Sequence, residues 1–116
     1  MAKTTIYHNP RCSKSRQTLA LLEENGIEPE IVLYLDNPPN EKTIKELLAL
    51  LKLKPRELMR NKEADFKAQN LGDPDLNDKD LIQAMVDTPK LIERPIVVHG
   101  KKAVIGRPPE NVLEII

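Results

Sequence analysis

Cys12 is the only cysteine of the chain and lies in the run His8-Asn9-Pro10-Arg11-Cys12-Ser13-Lys14-Ser15-Arg16. A lone cysteine is more often a small buried hydrophobe than a nucleophile. Here every neighbour from His8 to Gln17 except Pro10 is polar or charged, a poor setting for a core residue and a good one for a reactive thiolate. An unperturbed thiol, with a pKa of about 8.5, is only ~3% ionised at neutral pH. A helix start is worth about 1–2 kcal/mol, or roughly one pKa unit. Half-ionisation at pH 7 therefore requires further positive charge, for which Arg11, Lys14, Arg16 and His8 are the local candidates.

The same loop suits an oxyanion, because free amides at a helix start and the hydroxyls of Ser13 and Ser15 can cradle a tetrahedral anion. Ser13 has the alternative role of simply capping the helix. Arg60, Arg94 and Arg107 fall at the ends of expected elements. Singly each reads as a solvated surface charge; jointly they read as an anion clamp, since guanidinium forks match oxyanion geometry. Rival anion sites lack their residues: there is no GxxxxGK[ST] loop, and Cys12-x3-Arg16 lacks the C-x5-R spacing of cysteine phosphatases. One Cys and two scattered His give no zinc spacing.

The elements that must position these residues are legible in outline. Residues 4–7 are β-prone and end in the turn chemistry of His8-Asn9-Pro10-Arg11. A helix follows, with Leu19 and Leu22 inward and Gly26 at its C-terminal cap. Residues 30–35 read as a second strand, completing one βαβ unit. Asn40 caps a helix with Ile44, Leu47, Leu48 and Leu51 at i, i+3, i+4 and i+7. Pro55 opens a short helix over 56–60, and residues 61–77 are mixed helix and loop. Asn77 or Asp78 starts a helix with Leu81, Ile82, Met85 and Val86 inward, stopped by Thr88-Pro89. Residues 95–105 read as a β-hairpin turning at Gly100-Lys101. A last short helix carries Val112, Leu113 and Ile116 on its apolar side.

This order gives an α/β fold: a single domain over 3–116, with a central four-stranded mixed sheet and a helical insert at about 40–88. At 40% hydrophobic and 31% charged residues the balance is globular rather than disordered. With 18 basic and 18 acidic residues, and no Trp to stack bases, the chain lacks the signature of a nucleic-acid binder. No leader pattern and no stretch of ~20 apolar residues is visible, and one cysteine forms no internal disulfide, so a reducing cytoplasmic setting is expected.

His8-Asn9-Pro10-x-Cys12-x-x-Ser15-Arg16 resembles the active-site loop of the glutaredoxin-dependent arsenate reductases. The resemblance continues through Tyr34-Leu35-x-Asn37-Pro38-Pro39, Leu58-x-Arg60, Asp80-Leu81-Ile82 and Arg94-Pro95-Ile96-Val97-Val98 to Gly106-Arg107-Pro108, in order along essentially the whole chain. It implies a thioredoxin-like fold in which Pro95 is the cis-proline. It implies Cys12 as nucleophile, His8 as a residue that helps keep the thiol ionised, Ser15 as its hydrogen-bond neighbour, and Arg60, Arg94 and Arg107 as the arginines holding the anion. It further implies arsenate as substrate and glutathione as co-substrate, with glutaredoxin as partner. No bound cofactor or metal is expected, and the expected state is a monomer. Electron counting agrees: reducing As(V) to As(III) takes two electrons, two thiols must become one disulfide, and this chain owns one thiol. Two rivals are a Spx-like regulator binding RNA polymerase, whose loop typically reads C-x-x-C where this chain has Cys12-Ser13-Lys14-Ser15, and a monothiol oxidoreductase acting on glutathione mixed disulfides.

Overall fold

The computed structural model describes residues 3–116. They form two compact units, one running to Asn37 and resuming at Arg94, the other Pro38–Glu93.

The first unit holds a four-stranded sheet in the order β2-β1-β3-β4, with β1 Thr4–Tyr7, β2 Glu30–Val32, β3 Ile96–His99 and β4 Lys102–Ile105. β1 pairs parallel to β2 and antiparallel to β3, and β3 pairs antiparallel to β4. The mixed sheet expected from the sequence is therefore present. Its register decides where the chemistry falls. Tyr7 pairs with both Val32 and Ile96, and Ile96 pairs with Ile105. This row closes one edge of the sheet. The chain leaving β1 at His8, the chain entering β3 at Arg94-Pro95 and the chain leaving β4 at Gly106-Arg107 all emerge there.

Helix α1, Ser13–Glu24, connects β1 to β2. It stops in a Schellman turn: Gly26 N–H reaches Glu23 O at 3.0 Å and Ile27 N–H reaches Leu22 O at 2.9 Å. Leu22 is fully buried with Ile6, Val97 and Val112, and Ile27 packs on that cluster. Gly100 has φ +62 at the first position of the two-residue hairpin turn, where a side chain would be disfavoured.

The second unit contains α2 Glu41–Leu51, α3 Pro55–Leu58, α4 Ala64–Ala68 and α5 Asp78–Asp87. Asn40 caps α2 by accepting from Thr43 N–H, and Asn77 caps α5 in a reciprocal box with Asp80. The apolar faces of α2 and α5 pack together, burying Ile44, Leu47, Leu48, Leu81, Ile82 and Met85.

Three boundaries differ from expectation. β2 ends at Val32 rather than residue 35, because Leu33 O accepts from the N–H groups of Asp36 and Asn37 at 3.0 and 2.9 Å and turns the chain. The helix after Pro55 ends at Leu58, since Met59 pairs with Ile92 in an antiparallel bridge. The last helix is a 3-10 helix, Pro109–Glu114, whose tighter winding buries Val112 and leaves Leu113 exposed.

Gly26 has φ +76 and nothing within 4 Å of where a Cβ would stand, so only its backbone conformation resists substitution. Gly26→Ala should cost about 1 kcal/mol, read as a lower urea midpoint with an unchanged slope.

Candidate active site

The loop from His8 to Cys12 is shaped by Asn9. Its carbonyl accepts from Cys12 N–H and its side-chain Oδ1 from Arg11 N–H, both at 3.0 Å. This local turn delivers Cys12 to the N-cap of α1, where its carbonyl accepts the first helical bond from Arg16 N–H. The sequence left Ser13 open as the cap; the structure makes Ser13 the first helical residue and puts the thiol at the capping position. Sulfur makes no tight cap bond there, yet the amides of the first turn bear on it electrostatically.

Cys12 is partly exposed. Partial burial is the largest single influence on its ionisation and pushes the thiol pKa up. The Ser15 N–H, the Arg94 guanidinium and the Lys14 N–H oppose it, and together they win, holding the thiol below its ordinary value. A second guanidinium is also in place. Arg107 Nη2 stands 3.4 Å from Cys12 Sγ, and Arg107 Nε donates to Arg94 O at 2.7 Å.

The cations at the sulfur thus come from the far end of the sequence rather than from the adjacent loop. Arg16 Nη1 donates to Pro10 O at 2.8 Å and braces the turn; Arg11 and Lys14 have exposed side chains. Arg94-Pro95 and Arg107-Pro108 are cis peptide bonds, the first as the resemblance implied for Pro95.

His8 is buried, and its Nδ1 lies 2.6 Å from Ser15 Oγ. Burial, and then the positive charge of Arg16, lower its pKa, so the imidazole is neutral at pH 7. Ser15 Oγ also accepts from Asn9 N–H at 3.0 Å. With that bond made, the arrangement that satisfies both side chains has Ser15 O–H donating to His8 Nδ1. His8 therefore reaches the thiol through Ser15 and the loop, not as a neighbouring cation.

Arg60 lies in the helical unit. Its N–H donates to Leu91 O at 2.7 Å, and its guanidinium is ion-paired with Glu63 and Glu93, each at 3.3 Å. Sequence reading gave no sign of this double acidic partnership. It placed Asn9 in the turn and Gly106 in the family pattern without the bonds they make, and gave no reading to Thr18, whose contact with Gly106 is tertiary and has no local signature.

A match to the ArsC family covers residues 7–115. The chain belongs to the ArsC family. The Escherichia coli K12 protein YfgD, itself uncharacterised, is 62% identical over 96% of this chain and 94% of its own length. The arsenate reductase of Haemophilus influenzae is 49% identical over 96% of this chain and 97% of that protein. The solved arsenate reductase structure from Vibrio cholerae superposes with a TM-score of 0.97 at 52% identity, covering 99% of this chain and 98% of that one. The fold is thus that of the thioredoxin-like ArsC proteins, and no helix among the described residues is long and apolar enough to cross a membrane.

In this ArsC chain the depressed thiol pKa sets a pH test. Alkylation by iodoacetamide should rise with pH as thiolate forms and reach half-maximum below the midpoint of an unstructured cysteine peptide measured alongside. Arg94→Gln should move that midpoint upward; an ordinary midpoint in the native protein would contradict the geometry. Ser15→Ala leaves the buried His8 Nδ1 and Asn9 N–H without their shared partner, and should cost about 1–3 kcal/mol of stability by denaturant titration.

Proposed function

We propose that this protein reduces arsenate to arsenite through a covalent Cys12 adduct, with glutathione and glutaredoxin as the source of electrons. The observation that supports this reading best is the pairing of an acidified thiol with the guanidinium of Arg107 at 3.4 Å. The nucleophile and an anion-binding group share one locus. A tetrahedral oxyanion held by Arg94, Arg107 and the amides of the first turn has one face toward sulfur. An anion-binding role for Arg60 rests on the family pattern alone, and Ser15 and His8 hold the loop that presents the thiol.

In the first step Cys12 thiolate attacks arsenic, an oxygen leaves as water after protonation, and a sulfur–arsenic(V) bond forms. Glutathione thiolate then attacks the Cys12 sulfur. The sulfur–arsenic bonding pair stays on arsenic, which leaves as arsenite, and Cys12 is left in a disulfide with glutathione. A glutaredoxin thiol takes over the glutathionyl group and releases Cys12 as thiolate. The balance is two electrons per arsenate, drawn from Cys12 and glutathione and restored to Cys12 by glutaredoxin. A cytoplasmic pool of reduced glutathione suits this sequence.

The test is arsenite formation from arsenate with glutathione and glutaredoxin. Native protein should turn over and Cys12→Ser should not; a Cys12→Ser protein of native rate ends the proposal. Arg107→Lys should raise the arsenate KM by about ten- to a hundredfold, as loss of a charge-assisted fork predicts, while thermal stability stays close to native. Arg60→Lys should act in the same direction. If native protein leaves arsenate untouched yet clears glutathione from a glutathionylated protein, the monothiol reading replaces this one.

A further inference from the structure

Gly106 is buried immediately before Arg107. A Cβ on Gly106 would stand 2.5 Å from Thr18 Oγ1 and 2.9 Å from Pro95 Cγ, closer than a Cβ tolerates, and a tight 3.0 Å from Thr18 Cγ2. The end of β4 is therefore in backbone contact with α1 on one side and with Pro95 on the other. Both neighbours are fixed. Thr18 is fully buried, and its hydroxyl donates to Lys14 O at 2.8 Å, with a longer approach of 3.4 Å to Gly106 O. Gly106 N–H in turn donates to Pro95 O at 2.8 Å.

What this contact spaces is the site itself. Cys12 caps α1, six residues before Thr18. Arg107 follows Gly106, with Nε on Arg94 O and Nη2 near Cys12 Sγ. Arg94 precedes Pro95. Every group at the sulfur is thus one covalent step, or one helix segment, from the three-way contact of Thr18, Gly106 and Pro95. We propose that Thr18 and Gly106 are positioning residues. Together they set the distance between helix α1 and the end of β4, and so the placement of the two arginines on the Cys12 sulfur. Neither touches the substrate. A side chain on Gly106 must push β4 and α1 apart by several tenths of an ångström or more. The Arg107 Nη2–Cys12 Sγ distance of 3.4 Å is that of a normal N–H···S contact, and a shift of several tenths of an ångström lengthens and weakens it.

The arsenate arm of the test rests on the proposed reductase activity; the thiol arm does not. Gly106→Ala should raise the pH midpoint of Cys12 alkylation by about half a unit to one unit, in the direction of Arg94→Gln. It should also raise the arsenate KM about tenfold while changing kcat less. Thr18→Ala in the same chain removes Oγ1 and Cγ2, two of the three atoms that meet the new methyl, and should bring the midpoint at least halfway back. A merely structural glycine would lower stability but leave the alkylation midpoint of the folded protein at its native value, and that result overturns the proposal. So does a raised midpoint that Thr18→Ala leaves unmoved. If Gly106→Ala alone does not fold, the Gly106→Ala/Thr18→Ala protein decides. A midpoint near native supports the spacing role, and one as high as in Arg94→Gln refutes it. Should arsenate prove not to be a substrate, the alkylation results stand independently.

Discussion

The structure turns on one electrostatic contest at the N-cap of a helix. Cys12 occupies the position where a capping oxygen usually meets the free amides of the first turn. Sulfur is a weak acceptor as a thiol and a strong one as a thiolate, so the helix end favours ionisation. Partial burial works against it and is the largest single influence. Against burial act the Ser15 amide, the Arg94 guanidinium and the Lys14 amide, and their sum prevails. The rest of the first unit reads as the means of bringing that charge to the sulfur. The sheet register gathers three chain ends on one edge, and the Arg94 carbonyl steadies Arg107.

A neutral polar layer lies beneath this charged one. Ser15 and Thr18 are fully buried, and His8 and Asn9 nearly so. Each makes at least one hydrogen bond to the loop, to α1 or to the Gly106 segment. Buried polar groups are tolerable only when so satisfied, and a satisfied network is stiff. The loop therefore holds its shape without help from the charges that surround the thiol. Keeping His8 uncharged suits this, because a buried imidazolium beside Arg16 would be electrostatically unfavourable.

Most of the fold was legible because apolar periodicity and caps agreed: Asn40, Asn77 and Gly26 each act where their residue type suggested. The inner face of α1 was less so. It is made by Ser15, Thr18 and Leu22, and two of those three count as polar in any hydrophobic pattern. The thiol itself was legible from its surroundings. Its cations were legible in part. Arg94 and Arg107 read as an anion clamp at element ends, but Arg11, Lys14, Arg16 and His8 were the local candidates for acidifying the thiol. Helix geometry turns Lys14 and Arg16 outward. Arg107 lies 95 positions away and is supplied by strand pairing alone. Without the family pattern, nothing local distinguishes it from an ordinary surface arginine.

The hairpin that joins the two arginines acts as a ruler. Arg94 and Arg107 stand 13 positions apart, at the open end of two strands whose closed end is the Gly100 turn. Because successive strand residues face opposite sides, the ruler has only even divisions. Losing or gaining a single residue within either strand would turn one guanidinium to the wrong side of the sheet, whereas lengthening the distant turn would leave both marks in place. A change of length in this hairpin is therefore best absorbed at Gly100-Lys101, beyond the last paired residues His99 and Lys102.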